Sequence, residues 1–337
     1  MPSDRQLYAA ALNRVALRYG RMERDTLRKI WALLKQVQGE IQNDLLGAEG
    51  YRQYQLTELL RNVERYVAAF DANATAAMRA GLGQSFQFGG AYVTDPLEAI
   101  GVGVGFFEVA PAMLNVIVEA SADLVTGISE PLLRFINMQV RQVALQQISA
   151  IDAMRNISNN IGFVSMRPGR ETVKGIAYDA ERIVRTEMGR AFNLASHSQQ
   201  LAVAERVSEL TKRWVASGDA RTRESHLVAH MRYLDNPIPV SEPFHVGGSL
   251  LMYPGDPNGE AKEVCNCRCK SLSIHPRVGV LDTPLDGRIS DELGRRREAL
   301  MGALLLLHQR PSFNAQLAVR AVEGRLDVVE AAIRIRA

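Results

Sequence analysis

The chain is poor in cysteine and in aromatics, and nearly balanced in charge. Its three cysteines are Cys265, Cys267 and Cys269. Cysteines at i and i+2 do not readily close a disulfide on each other, so no disulfide framework is expected, and reduced thiols fit the pattern better. The formal net charge of +3 argues against a protein that wraps nucleic acid over its whole surface. There is no glycine-rich phosphate loop, no His-Glu-x-x-His and no Gly-x-Ser-x-Gly. An ATPase, a zincin protease and an α/β-hydrolase are therefore unsupported. Long clean apolar runs are also missing. The most apolar stretch, Ala99 to Val118, contains Glu108, Pro111 and three glycines. A bilayer helix built on it would be costly, and a buried helix or helical hairpin is expected instead. Met1-Pro-Ser-Asp-Arg leads straight into an amphipathic pattern, without a secretory signal.

What is present is enough apolar material, 47% of residues, for a sizeable core. The length suggests two domains with an appendage. Residues 4 to about 70 carry a helical period through Leu27, Ile30, Trp31, Leu34, Val37 and Ile41, resumed by Leu56, Leu59, Leu60, Val63 and Val67. The glycines of 81–95, followed by Thr94-Asp95-Pro96, predict a loop and then a helix start. Ser129-Glu-Pro131 opens a further helix, and Arg167-Pro-Gly169 predicts a turn into the helix that carries Tyr178, Ile183, Met188 and Phe192. After residue 212 the texture changes. Lys212-Arg-Trp-Val-Ala and Cys269-Lys-Ser-Leu-Ser-Ile read as strands, between turns such as Asn236-Pro-Ile-Pro and Pro254-Gly-Asp-Pro. Residues 276–290 read as a linker, and helix returns to the end, broken at Pro311. The fold class expected is a mostly α N-terminal region (1–175), a small α+β domain (176–277), and a linker with a helical tail (278–337).

The chemistry-bearing residues cluster between 180 and 275. Arg185-Thr-Glu187 sits on a helix. Trp214 is followed by Asp219, Arg221, Thr222, Arg223 and His226; then come Tyr253-Pro254-Gly-Asp256-Pro, and Cys265-Asn266-Cys267-Arg268-Cys269. Taken in this order, the four pieces resemble the C-terminal domain of the phage Mu F-like head morphogenesis proteins, which are minor capsid proteins. The resemblance covers under a third of the chain. It implies a virion protein of the capsid interior near the portal vertex, found in host cytoplasm during assembly. Its partners would be the portal and other head proteins, in multiple copies per virion, with a role in head morphogenesis and in DNA packaging or ejection. No enzymatic activity is expected.

Each motif has a plain structural reading beside a chemical one. On a strand, Cys265, Cys267 and Cys269 would share a face. With His226, His230 or His245 they would make a Cys3His zinc set, and His226 is the first candidate among the three. The alternative is small buried side chains packed as core. His226 with Asp219 would make a general base oriented by a carboxylate; the preferred reading is a turn and helix start, capped by Asp219 or Thr222. Asp256 would bind a cation or, as preferred, cap backbone. The Mu F-like module is distantly similar to the ADP-ribosyltransferase fold, which would cast Arg185 and a later Glu in NAD chemistry. Neither a Ser-Thr-Ser strand nor a Glu-x-Glu turn completes that set, and ion pairs locking Arg185 and Glu187 between helix and sheet are expected instead. Two alternatives remain open: an ADP-ribosyltransferase-like effector injected with the genome, and an ejection protein whose 97–128 segment enters the envelope. Arg213, Arg221, Arg223, Arg232 and Arg268 are candidates for nonspecific contact with packaged DNA.

Overall fold

The computed structural model describes residues 2–47, 53–104, 111–167, 171–279, 281, 284–308 and 313–334. Long helices come first: α1 (Asp4–Gly47), α2 (Gln53–Ala99), α3 (Pro111–Ala144) and α4 (Ala150–Ile161). A short hairpin, β1 (Phe163–Ser165) with β2 (Thr172–Val173), precedes α5 (Gly175–Ala204). The α+β part holds β3 (Thr211–Val215), α6 (Glu224–Leu234), β4 (Ile238–Pro239), β5 (Phe244–Val246), β6 (Ser249–Leu251), α7 (Ala261–Val264) and β7 (Lys270–Ile274). Helices α8 (Pro284–His308) and α9 (Phe313–Arg334) close the chain. The expected class, long helices, then a small α+β part, then a helical tail, is the class observed.

The chain forms two compact units. One comprises Leu17–Ser85 and Ala110–Ala191. It is helical because its apolar residues recur every three or four positions: Leu27, Ile30, Trp31, Leu34, Val37 and Ile41 on α1, and Val63, Val67, Phe70, Ala74, Met78 and Leu82 on α2, are all buried. Ile128, Leu132, Ile136 and Val140 on α3 join them. Polar ties fix the register. The Trp31 indole donates to the Ala177 carbonyl at 3.1 Å, and the amides of Gln38 and Gln42 both donate to Ser158 Oγ. Helix α4 is capped at both ends. Ser149 Oγ accepts from Asp152 N, and Gly162, at φ 88°, ends the helix in the left-handed region.

The other unit gathers Met1–Ala16, Phe86–Val109 and Phe192–Ala337. Its sheet is antiparallel, in the order β4-β3-β7, with Trp214 opposite Ser271; β5 and β6 form a separate hairpin. Strand β3 is buried along nearly its whole length. Trp214, Leu227, Met231, Phe244, Leu251, Cys267 and Cys269 share one core with Ile289, Leu293 and Val329 from α8 and α9. The start of α1 belongs to this unit, and the Tyr8 hydroxyl donates to the Ser273 carbonyl at 3.0 Å. Gln200 reaches the same strand through Ser271 O and Ser273 Oγ, and Asn193 Nδ2 donates to Cys269 O.

Two expectations are corrected. Residues 81–95 are not a loop, because α2 runs unbroken through them and past Pro96. Their glycines serve close approach: a Cβ on Gly89 would stand 2.1 Å from the Phe192 carbonyl oxygen, and one on Gly81 would stand 3.0 Å from Thr26. The stretch 276–290 is not all linker. Helix α8 begins at Pro284, and Asp286 and Ile289 are buried. The turn expected at Arg167-Pro-Gly169 and the break at Pro311 fall wholly or partly outside the described residues, as do positions 105–110 of the apolar stretch. Among the described residues, no helix is long and apolar enough to cross a membrane.

Candidate functional site

The site is built where β3, α6 and the 265–269 segment converge. Trp214 lies in the buried row of β3, which runs on through Val215, and a turn then leads into α6. Asp219 organises that turn. Its carboxylate accepts from Arg221 N and Thr222 Oγ1, and its own N–H donates to Thr222 Oγ1. Arg268 grips both Asp219 oxygens, with Nη2 at 2.7 Å from Oδ1, a charge-assisted bidentate pair. The hydrogen bonds from Arg268 outweigh burial and hold the Asp219 carboxyl down at about 2. Asp219 and Thr222 thus cap the turn and each other, while the helix N-cap position itself is Arg223, with no side-chain cap bond.

His226 lies in the first turn of α6 and is 1% exposed. Its two ring nitrogens face different chemistry. Nε2 is 3.0 Å from Glu263 Oε2, while Nδ1 is 3.2 Å from Cys269 Sγ and 3.7 Å from Cys267 Sγ. The Trp214 ring stands edge-on at 5.4 Å. Glu263 Oε2 also accepts from Ser225 Oγ at 2.7 Å. Gly247 leaves room for this carboxylate, since a Cβ there would meet Glu263 Oε1 at 2.2 Å. Burial opposes charge on His226, but bonds to Cys267 and Glu263 prevail and raise it to about 8. Glu263 is moved down despite its burial, because His226, Ser225 and Arg223 favour its charged form. The Cys269 thiol, hydrogen-bonding to Cys267, holds that sulfur well below the ordinary thiol range, and burial pushes Cys269 up.

Cys265 does not join this group. The expectation of three cysteines on one strand face is corrected, because strand β7 starts only at Lys270 and Cys265 caps the short helix α7. Asn266 adopts φ 57°, a left-handed conformation that Asn tolerates better than most residues. That reversal breaks the alternation. Cys265 is left half-buried, with its carbonyl held by the Arg223 guanidinium, while Cys267 and Cys269 are buried. His226, Cys267 and Cys269 place their ligand atoms within 4.8 Å of one another.

The other expected residues are placed as follows. The carboxylate on His226 is Glu263, not Asp219, so the general-base pairing of Asp219 with His226 is not formed. Tyr253 and Pro254 are buried in the turn organised by Asp256, whose carboxylate accepts from Met252 N, Asn258 N and Asn258 Nδ2. Arg185 pairs with Glu181, and Glu187 with Arg190 at 2.8 Å. Both pairs run along α5 itself rather than from helix to sheet. Arg213 is fully buried beside Asp286, which also meets His230 Nε2 at 3.1 Å, so it is removed from the set of DNA-facing arginines. Arg268 and Arg223 are held internally, whereas Arg221 and Arg232 are exposed. Sequence reasoning missed Glu263, Ser225 and Asp286. Nothing local marks them, because their partners lie 37 or more residues away.

Residues 147–272 match the family model described as Phage Mu protein F like protein. The chain carries a Mu F-like segment. That segment contains all the motif residues from Arg185 to Cys269, so the resemblance read from the motifs alone holds over it. No curated protein matches the chain, and no solved structure does.

The Mu F-like turn gives a direct pH test. Asp219 is lowered from its ordinary value, so its contribution is complete above about pH 4 and is lost as the pH falls toward 2. The side chain is 42% exposed, so solvent screening limits the contribution at neutral pH to about 1 kcal/mol. Asp219→Asn is expected to flatten the acid limb of stability between pH 4 and 2, read by urea midpoints. An unchanged acid limb would show that the Arg268 pair carries no stability.

Proposed function

We propose that this Mu F-like chain is a minor head protein placed in several copies at the portal vertex, inside the capsid, acting in head morphogenesis and in DNA packaging or ejection. The family match over 147–272 carries the reading. Helix length supports it. Helices α1 and α2, of 44 and 47 residues, extend about 66–70 Å each at ~1.5 Å per residue, offering long faces for docking on helical partners. Leu17 on α1, Val116 on α3, and Leu305 and Leu306 on α8 remain more than 60% exposed. Of the five arginines named for contact with packaged DNA, Arg221 and Arg232 remain exposed for it, and such contact would weaken steeply with salt. No observation favours the ADP-ribosyltransferase reading, since Arg185 and Glu187 are both occupied by ion pairs on their own helix.

The test is co-expression of the full chain with the portal protein of the same phage, and separately with its major capsid protein, read by size exclusion and native mass spectrometry. Co-elution with the portal at fixed stoichiometry is expected. Binding to the major capsid protein alone, or to neither, removes the portal from the reading. A fragment ending near residue 175 would be a poor reagent, because the Tyr8 partner on β7 would be gone.

A further inference from the structure

We propose that His226, Cys267 and Cys269 bind one thiophilic divalent metal ion, zinc being the first candidate, with Cys265 outside the ligand set and Glu263 positioning the imidazole. The argument is geometric. Around a tetrahedral zinc with Zn–S of ~2.3 Å and Zn–N of ~2.0–2.1 Å, ligand sulfur and nitrogen stand roughly 3.6 Å apart. His226 Nδ1 lies 3.2 Å and 3.7 Å from the two sulfurs, which brackets that spacing, and all three donor atoms lie within 4.8 Å of one another. The same nitrogen faces both thiols, as a shared ion demands, whereas a thiol–imidazole hydrogen bond requires only one sulfur.

The surroundings agree. The far nitrogen, Nε2, is held by Glu263 at 3.0 Å, the carboxylate–histidine arrangement that fixes the tautomer and ring orientation of metal-bound histidine. Glu263 sits on the opposite side of the ring from the sulfurs, so it orients rather than ligates. His230 is turned to Asp286, and His245 lines a surface cavity of about 530 Å³ together with Glu224, Ser225 and Arg232. Neither competes for the thiols. None of His226, Cys267 and Cys269 lines that cavity, and both sulfurs are buried, which disfavours a nucleophilic role that needs substrate access. A bound ion would clip α6 to a segment some 40 residues later in sequence, in a part of the chain whose strands are only two to five residues long. Small loop-rich modules gain most from such a clip.

The experiment uses the full chain, carrying no polyhistidine tag and purified under reducing conditions without chelators from zinc-supplemented culture. Elemental analysis is expected to find one zinc per chain, retained in Cys265→Ser and lost in Cys267→Ser and Cys269→Ser. Glu263→Gln should bind with roughly 10–100-fold lower affinity. X-ray absorption at the zinc edge of the unmutated chain keeps the assignment testable if the serine variants fail to fold; two sulfur neighbours with nitrogen or oxygen completing the shell are expected. Metal-free protein, three sulfur neighbours, or loss of zinc in Cys265→Ser would overturn the proposal.

Discussion

Trp214→Ala is expected to lower the stability of its unit by about 3–5 kcal/mol. The indole is fully buried, packs edge-on against Phe244 at 5.4 Å and against His226 at the same distance, and belongs to the best-paired ladder in the sheet. Its removal empties the middle of the core that joins β3, α6 and the β5–β6 hairpin. Since whole domains are stable by only about 5–15 kcal/mol, the loss is a large share of the total. Scanning calorimetry should show a transition lowered by about 6–20 °C, at roughly 2–4 °C per kcal/mol for units of this size. Trp214→Phe, which keeps an aromatic face, should fall well short of that. The only other tryptophan, Trp31, belongs to the unit that does not hold Trp214, so its fluorescence in either variant reports that unit separately. A shift of under about 2 °C in Trp214→Ala would show that the core tolerates the cavity.

Gly89→Ala carries the second large effect, and its sign is set by a contest. In an exposed helix interior, alanine beats glycine by about 1 kcal/mol. At position 89 the added Cβ would stand 2.1 Å from the Phe192 carbonyl oxygen and 2.9 Å from the Ala195 Cβ. A backbone carbonyl cannot rotate aside as a flexible side chain can, so α2 and α5 must separate at their contact. Overpacking of this kind typically costs ~1–3 kcal/mol and at times more. A net loss of about 2 kcal/mol or more is expected in chemical denaturation. Gly83→Ala on the same helix is the control. Nothing lies within 4 Å of its Cβ position, and a gain of up to ~1 kcal/mol is expected. If both variants gain stability, the close approach at residue 89 is not a constraint.

Gly89 also shows where the sequence is hard to read. The helical stripes of α1, α2 and α3 were legible, because a long run of apolar residues at three- and four-residue spacing fits a helix and little else. Strands β3 and β7 were legible for a similar reason, as short β-rich runs bounded by turn residues. The glycines of 81–95 looked like chain reversals because a glycine that makes room for a neighbouring helix and one that permits a turn are the same letter. Only the neighbour distinguishes them. Asp286 was hidden in a stretch that reads as polar linker, although it is buried beside Arg213 and His230.

The candidate site was half legible. His226, Cys267 and Cys269 were marked by residue type and by motif. Cys265 was assigned with them because period-two alternation assumes an extended backbone, and one left-handed residue, Asn266, defeats it. Glu263 left no trace, since the imidazole it meets is 37 positions away in sequence. Local spacing identifies donors on one segment; it does not identify the side chain that another segment brings to hold them.

The bond between Tyr8 and Ser273 links residues 265 positions apart. At a synthesis rate of about 5–20 residues per second, the start of α1 waits on the order of tens of seconds for the strand that receives it. Over that interval the Tyr8 hydroxyl, buried in the finished protein, lacks its native acceptor. The start of a helix made early is thus secured late, so a bulky fusion ahead of α1 acts on a late stage of folding rather than the first.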